Sequence, residues 1–173
     1  PLVTGVQTCA LPILLWAQGR DITLVLIGAP LAHFSNYLAT LPDTDRARIR
    51  VLAYASDDER RDAYASSSVF MLPSRTDSFG IVFLEAWCNH LPVIGADAGG
   101  IPDVVHDGIN GVLVPFADET ALAHAIARLL DDPADAQRLA KHGYDNVIAH
   151  DTWDHVYARI FTYYDKACVR HAD

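Results

Sequence analysis

The sequence predicts an α/β fold with a doubly wound parallel sheet, and three observations support this prediction. Five short aliphatic runs recur between residues 22 and 115, bounded by Gly, Pro or polar residues. Segments with helical periodicity separate the second, third and fourth runs, and only helical patterns follow residue 116. Strands that alternate with helices form βαβ units, which assemble into a parallel sheet with helices on both faces.

The predicted strands are short and almost wholly apolar. Ile22–Gly28 is a continuous apolar run, which is typical of a strand buried in a parallel sheet. Proline stops the third run, as it does in many strands. The other four predicted strands are Arg50–Tyr54, Val69–Pro73, Pro92–Ala96 and Gly111–Pro115.

The predicted helices differ in how much of their surface is apolar. Asp57–Ser66 has an acidic first turn, with Asp57 as the expected N-cap. Phe79–Asn89 is apolar almost all round, which indicates a buried helix. Three further helices are expected at Asp118–Leu130, Pro133–Ala149 and Thr152–Ala167. The last carries a stripe typical of a core-facing surface, made of Trp153, Val156, Tyr157, Ile160, Phe161 and Tyr164.

Composition excludes several classes of function. The 173 residues carry a net charge of −9 and no run of Lys or Arg, which argues against a nucleic-acid partner. No apolar segment approaches the roughly 18 residues of a membrane span. Cys9, Cys88 and Cys168 are far apart and the histidines are scattered, so we expect neither disulfides nor a metal site. A reducing, cytoplasmic setting follows.

The first thirteen residues do not resemble the rest of the chain. Val3–Ile13 corresponds codon by codon to the translation of a common sequencing-library adapter, and we interpret residues 1–13 as an artefact of that origin. A genuine strand and loop is the alternative. A signal peptide fits less well, because the segment has no basic start and its apolar stretch is interrupted.

Three turns follow predicted strands at the carboxyl edge of the sheet, where doubly wound folds bind their ligands. They are Gly28–Pro30, Ser74–Gly80 and Asp97–Pro102. The first lacks the Gly-x-Gly-x-x-Gly fingerprint of dinucleotide-binding proteins, which argues against a nicotinamide or flavin. We therefore expect no cofactor and consider the other two turns as a substrate site.

The second turn and the helix after it carry groups suited to a phosphorylated sugar. Ser78, Phe79 and Gly80 are expected to offer free backbone amides at the helix N-terminus, where a phosphate or a sugar hydroxyl binds well. Asp77 would point toward that ligand. Glu85 lies about two turns into the helix, and a buried carboxylate there needs a partner such as the paired hydroxyls of a ribose.

Each of these features also has a structural explanation. Asp77 or Ser78 can be a simple N-cap. Glu85 can be solvated or can pair with a neighbouring helix. Gly99 and Gly100 can form a tight connection before a helix that Pro102 begins. At adjacent strand ends, however, the features together outline a site for a phosphorylated sugar or a nucleotide.

Four segments resemble the C-terminal domain of the family 4 (group 1) glycosyltransferases. They are Pro73–Ala86, Leu91–Gly95, Gly99–Val105 and Asp107–Val114. The similarity as a whole extends over roughly residues 20 to 165. The resemblance implies the C-terminal, Rossmann-like half of a two-domain GT-B fold with C-terminal helices. It implies retaining transfer of a hexose from a nucleotide-diphosphate sugar, without a catalytic metal.

The resemblance also implies roles for individual residues. Asp77 stands at the first acid of the Glu-x7-Glu motif and would be the catalytic residue that contacts the transferred sugar. The amides of Phe79, Gly80 and Ile81 would contact the sugar and the phosphates. Glu85 would hold the ribose. Ser78, Gly99 and Gly100 complete the implied donor-binding set.

The sequence departs from the family pattern in three respects. Asp77 is one methylene shorter than Glu, and His90 stands where Gly usually ends the helix. The family's first strand is missing, with the Arg and Lys that neutralise the diphosphate; Arg20 and Arg75 are the nearest cations and neither matches the motif. We therefore divide the chain into residues 1–13, an incomplete nucleotide-sugar-binding domain at 14–150, and a terminal helix at 151–173.

These considerations predict the donor-binding half of a glycosyltransferase that is inactive by itself. Its expected partners are the nucleotide-sugar donor, an unidentified acceptor glycan, lipid or small molecule, and the absent N-terminal domain toward which the last helix would reach. The parent is expected in the cytoplasm, with peripheral membrane association as an option. The alternatives are a non-catalytic nucleotide-binding module and a sugar-nucleotide epimerase of the same architecture.

Overall fold

A computed structural model of the protein describes residues 13–29 and 32–169. The segment interpreted as an adapter artefact, which includes Cys9, therefore lies outside the described residues except for Ile13. Pro30 of the first predicted turn and the last four residues of the chain also lie outside them.

The described elements follow the predicted alternation of strands and helices. The strands are β1 (Leu24–Ile27), β2 (Ile49–Leu52), β3 (Phe70–Leu72), β4 (Val93–Ala96) and β5 (Val112–Val114). The α-helices are α1 (Ala32–Thr40), α2 (Asp43–Arg46), α3 (Asp57–Ser66), α4 (Ile81–Cys88), α5 (Glu119–Asp131), α6 (Pro133–Asn146) and α7 (Trp153–Val169). Residues 13–17 are also helical; a 3-10 turn spans Ile101–Asp103 and a π-helical turn Val147–Asp151.

All described strand pairs are parallel, which confirms the predicted fold class. β1 pairs with β2, while β3, β4 and β5 pair in that order. The strands nevertheless form two sheets instead of one continuous sheet, because β1 and β3 are not paired with each other.

The three-stranded sheet is covered on both faces, as a doubly wound fold requires. One face packs against α5 and α6 through Ile94, Ile126 and Leu139. The other face packs against α4 through Phe83 and Trp87, both fully buried. Neighbouring residues of β4 serve opposite faces because side chains alternate along a strand. The two-sided cover makes β4 the centre of the hydrophobic core, and all four of its residues are buried.

The two-stranded sheet is much less buried than the sequence predicts. Within β1 only Leu24 is buried. Val25 is 36% exposed, although it is aliphatic like Leu24. No residue of β2 is buried. The strand at Ile22–Gly28 is therefore confirmed as a strand, but its predicted burial is wrong. Among the described strands, β1 pairs along one edge alone, so one side of this apolar strand lacks the neighbour that would cover it.

The start of α3 differs from the prediction because local hydrogen bonds place its cap at a different residue. Ser56, not Asp57, caps α3: its Oγ accepts the Glu59 N–H at 3.2 Å, and the Glu59 carboxylate accepts the Ser56 N–H at 2.8 Å. This reciprocal pair is a capping box, which places the cap one residue before the first acid. The sequence patterns did not predict α1 or α2.

The end of α4 shows how His90 takes the place of the family's usual Gly. This residue adopts the left-handed conformation with φ 56°, which His tolerates better than most side chains. Its ring lies against Tyr144, with 4.4 Å between the ring centroids. A histidine therefore ends the helix at the position where the family usually has Gly.

The aromatic stripe on α7 is exposed, so the expectation that it faces the core is wrong. Trp153 is 75% exposed and Phe161 is 63% exposed, so no element of the described part of the chain covers this face. That the last helix reaches toward another domain stays a prediction. Among the described helices, none combines the length and the apolar content that crossing a bilayer requires.

Gly143 in α6 is required by the packing of Trp87. A Cβ at this position would lie 2.2 Å from Trp87 Nε1, whose N–H donates to the Asn110 carbonyl at 3.0 Å. We expect Gly143→Ala to lower the free energy of unfolding by about 1–3 kcal/mol through overpacking, although Ala favours a helix by about 1 kcal/mol. Urea denaturation measures the change. Asn146→Ala, at an exposed position of the same helix, is the control; equal or greater stability of Gly143→Ala would contradict this packing.

Candidate functional site

The loop between β3 and α4 carries the first predicted acid. Asp77 is half-buried, and its Oδ1 accepts the Phe79 N–H at 3.0 Å. This short-range bond is an Asx turn, which Asp forms readily because its carboxylate reaches the backbone two residues on. The carboxylate is thereby held at the loop by one oxygen. The amide of Phe79, which we expected to be free, is occupied by Asp77.

Gly80 sets the direction in which α4 leaves this loop. It adopts the left-handed conformation with φ 73° and occupies the N-cap position, where no side chain caps the helix. A Cβ on Gly80 would lie 2.6 Å from the Phe83 ring, so a larger residue does not fit. Within the described part of the chain, the amides of Gly80, Ile81 and Val82 have no hydrogen-bond acceptor. They and the helix dipole suit an anionic group.

Gly99 and Gly100, the glycine pair after β4, contact the backbone of the Asp77 loop. The Gly100 N–H donates to the Asp77 carbonyl at 2.9 Å. A Cβ on Gly100 would lie 2.3 Å from the Ser78 carbonyl oxygen, and one on Gly99 would lie 2.8 Å from the Arg75 carbonyl oxygen. The two glycines therefore bring the loops after β3 and β4 into backbone contact, which fixes the position of Asp77.

Glu85 lies in the second turn of α4 and contacts a residue that the sequence reading did not single out. Its Oε2 accepts the Tyr64 O–H at 3.0 Å, so Glu85 pairs with α3, one of the alternatives that the sequence left open. Burial and the Glu85 charge raise the pKa of the Tyr64 phenol above its usual value. Burial, and then Glu85, also raise the pKa of the Cys88 thiol. Tyr64 lies twenty-one residues away in sequence, and no motif links the two positions.

Two cations near the site in sequence have different surroundings. The Arg75 guanidinium belongs to the Asp77 loop and lies 5.8 Å from the centre of the Phe116 ring, a cation–π contact. Arg20 makes two hydrogen bonds to the Asp131 carboxylate, at 2.8 and 2.5 Å, at the end of α5. Arg75 therefore lies on the same loop as Asp77 and contacts Phe116, while Arg20 is paired with Asp131.

The structure brings most of the predicted residues together. The loops with Asp77–Gly80 and Gly99–Gly100 are in contact, and Ile81 follows directly at the start of α4. Glu85 lies farther along α4 and lines a cavity of about 1070 Å³ between the two sheets. Among the described residues, no cluster of three or more His, Cys, Asp or Glu side chains is placed to hold a metal ion.

The arrangement combines a helix N-terminus that no side chain caps with two carboxylates in different surroundings. Free amides attract a phosphate group, and a carboxylate accepts hydrogen bonds from sugar hydroxyls. Asp77 lies on the loop before the helix, and Glu85 lies within it. The geometry therefore suits a ligand that carries both phosphate and hydroxyl groups.

Comparisons with known proteins show what this chain is similar to. A family model described as "Glycosyl transferases group 1" matches residues 8–132. D-inositol 3-phosphate glycosyltransferase from Salinispora tropica is 32% identical over 162 residues, which cover 90% of this chain and 33% of that protein. The chain thus spans about a third of the length of this curated relative.

Solved structures show the same fold. Sucrose-phosphate synthase from Thermosynechococcus elongatus superposes with a TM-score of 0.78 at 28% identity, covering 96% of this chain and 43% of that one. The C-terminal domain of a group 1 family glycosyl transferase from Francisella tularensis superposes with a TM-score of 0.72 at 22% identity. That match covers 85% of this chain and 78% of the other.

The contact between the two loops gives a test of how Asp77 is positioned. We expect Gly100→Ala to shift the backbone amide resonances of Asp77–Gly80 in an NMR spectrum, because the new Cβ would overlap the Ser78 carbonyl. Gly108→Ala is the control for backbone strain, since Gly108 has φ 69° but a Cβ there meets nothing within 4 Å. Unchanged resonances in Gly100→Ala would show that the glycine pair does not hold this loop.

Proposed function

Because the chain belongs to the group 1 glycosyltransferases, we propose that it forms the donor-binding part of a retaining enzyme. The enzyme would transfer a hexose from a nucleotide-diphosphate sugar to an acceptor. The observation that carries this proposal is the junction of the Asp77 loop, the uncapped start of α4 and the glycine pair. The junction is built from the residues that the sequence assigns to donor binding.

The start of α4 is proposed to bind the diphosphate. The unoccupied amides of Gly80, Ile81 and Val82 and the positive end of the helix dipole all favour an anion. Arg75 adds a positive charge on the same loop. Positive charge beside the diphosphate stabilises the leaving group as the bond to the sugar breaks.

Glu85 is proposed to hold the ribose of the nucleotide. Tyr64 donates to Oε2, and Oε1 accepts no hydrogen bond from the described residues. The carboxylate is half-buried beside the cavity, where bonds to hydroxyl groups are stronger than in water. Tyr64 would then orient the carboxylate toward its ligand.

Asp77 is proposed to face the transferred sugar. A retaining transfer passes through an oxocarbenium-like state, which a nearby carboxylate stabilises. The Asx turn holds this carboxylate at a fixed place in the loop, so the short side chain loses little conformational freedom when a ligand binds. The proposal includes no metal ion: the helix amides and Arg75 are the groups that would neutralise part of the diphosphate charge.

The nucleotide site can be tested with variants of one hydrogen-bonded pair. We expect the chain to bind uridine, guanosine or adenosine diphosphate weakly and to prefer one of the three bases. NMR titration measures this binding. Glu85→Gln should weaken that binding roughly tenfold or more, because the charged acceptor is lost. Tyr64→Phe is the comparison variant: it removes the hydrogen bond that orients the carboxylate but keeps the charge, so binding should weaken by only about threefold, less than in Glu85→Gln.

Equal losses in the two variants would assign Glu85 a purely structural role and contradict the ribose site. Nucleotide binding that is unchanged in both variants would favour a nucleotide-binding module whose site does not include Glu85. Unfolding curves for both variants show whether the pair affects the fold instead.

The chain by itself is expected to transfer no sugar. The chain covers 33% of its curated relative, and the proposed donor-binding part is only one of the two parts that a transfer reaction needs. A coupled assay for released nucleoside diphosphate, with a panel of nucleotide sugars and simple acceptors, measures this. Efficient transfer would contradict the proposal that this chain is only the donor-binding part.

A further inference from the structure

The Asp77 carboxylate occupies a backbone amide that adjoins the free amides at the start of α4. Its Oδ1 accepts the Phe79 N–H at 3.0 Å. The next amides along the chain, those of Gly80, Ile81 and Val82, have no acceptor in the described part of the chain. The first donor of this row is therefore used by the protein itself, while the donors that follow it are open.

The same carboxylate oxygen also lies close to the start of the helix. A Cβ built on Gly80 would lie 3.6 Å from Asp77 Oδ1. Gly80 is left-handed with φ 73°, and successive amides that include such a residue can converge on one anion. The carboxylate therefore takes up space that an anion bound by this row would use, and the two negative charges repel each other.

The main chain of Asp77 is held independently of its side chain. The Gly100 N–H donates to the Asp77 carbonyl at 2.9 Å. A Cβ on Gly99 would lie 2.9 Å from the same carbonyl oxygen, so the backbones of the two loops are in contact. The carboxylate can therefore leave the Phe79 amide by rotating about its side-chain bonds, without a movement of the loop.

The Phe79 amide is the group that holds the carboxylate in the described part of the chain. Asp77 has no ion-pair partner there, since Arg75 on the same loop contacts the Phe116 ring. Its second oxygen accepts no hydrogen bond from the described residues. A ligand with hydroxyl groups thus competes with a single hydrogen bond, and hydroxyl groups are good donors to a carboxylate.

We propose that Asp77 makes the site discriminate between a diphosphate that carries a sugar and one that does not. This inference rests on the donor site proposed above. Without a sugar, the carboxylate stays on the Phe79 amide and opposes the anion. With a sugar, the hydroxyl groups draw the carboxylate away, and the Phe79 N–H becomes a further donor to the phosphates. The donor therefore binds more tightly than the diphosphate that remains after transfer.

The length of the Asp77 side chain allows charge and hydrogen bonding to be tested separately. Asp forms a hydrogen bond to the amide two residues on, as Asn, Ser and Thr also do, whereas Glu is not among the residues that favour this turn. Asp77→Glu therefore keeps the charge and releases the Phe79 amide. Asp77→Asn keeps an acceptor and removes the charge, and Asp77→Ala removes both.

Inorganic pyrophosphate tests the competition without a sugar or a base. Its titration into the intact chain is followed by NMR at the amides of residues 80–82. Asp77→Ala should bind pyrophosphate roughly tenfold more tightly than the unmodified chain, because the amide is released and the repulsion is removed. Asp77→Asn should gain only about threefold, since its side-chain oxygen still accepts the Phe79 N–H. Equal affinities of these two variants, or weaker binding by Asp77→Ala, would overturn the proposal.

Exchange of the Phe79 amide proton with water tests the contact in the absence of any ligand. It should be roughly tenfold faster in Asp77→Ala than in the unmodified chain, and faster in Asp77→Ala than in Asp77→Asn. Equal exchange in the unmodified chain and Asp77→Ala would disprove the contact and with it the proposal. The same spectra show whether each variant is folded, and Asp77→Glu replaces Asp77→Ala if the latter is not.

Matched nucleotides test the discrimination itself. The pairs are uridine diphosphate with UDP-glucose, adenosine diphosphate with ADP-glucose, and guanosine diphosphate with GDP-mannose. For the preferred base, the unmodified chain should bind the nucleotide sugar about tenfold more tightly than the diphosphate. Asp77→Ala should reduce this ratio, because it binds the diphosphate more tightly than the unmodified chain does. A ratio that falls only through weaker binding of the nucleotide sugar would contradict the proposal.

A failure of the proposed donor site is recognised separately. In that case Glu85→Gln would leave nucleotide binding unchanged. The pyrophosphate titration and the exchange of the Phe79 amide contain no nucleotide, so they still decide whether Asp77 competes with an anion at the start of α4.

Discussion

The pairing of β3 with β4 is the constraint on which the rest of the structure depends. It sets Leu72 opposite Gly95, so the two parallel strands end at the same edge and their following loops meet. The meeting is close enough that only glycine fits at Gly99 and Gly100. The same pairing carries the core, because the helices on both faces pack against β4 and its neighbours. The position of Asp77 is thus a consequence of strand register.

The two-stranded sheet shows what happens where that constraint is absent. β1 has an aliphatic sequence suited to a central strand, yet Val25 remains 36% exposed beside the cavity between the two sheets. Propensity and pairing with β2 are sufficient to form the strand, while burial requires a neighbour on each side. Glu85 and Tyr64 line the same cavity, so the edge of β1 and the proposed nucleotide site lie in one region of the molecule.

The two acids of the site are held by different means. Asp77 is fixed by a local bond to a backbone amide two residues away, which any Asp in this kind of turn can form. Glu85 is fixed by Tyr64, a tertiary contact between two helices. A local turn can be predicted from a short sequence pattern. A contact across twenty-one residues depends on how α3 and α4 pack on the sheet.

The sequence by itself determined the fold class, the five strands and most helices, because hydrophobic periodicity and Gly or Pro boundaries are local signals. It also determined which loop carries Asp77. Tertiary structure decided the capping role of Ser56, the partner of Glu85, the exposure of the α7 aromatic stripe and the division into two sheets. These four features depend on which helices and strands become neighbours. The sequence of one segment does not specify the residues that will pack against it, so it cannot set the energy of those contacts.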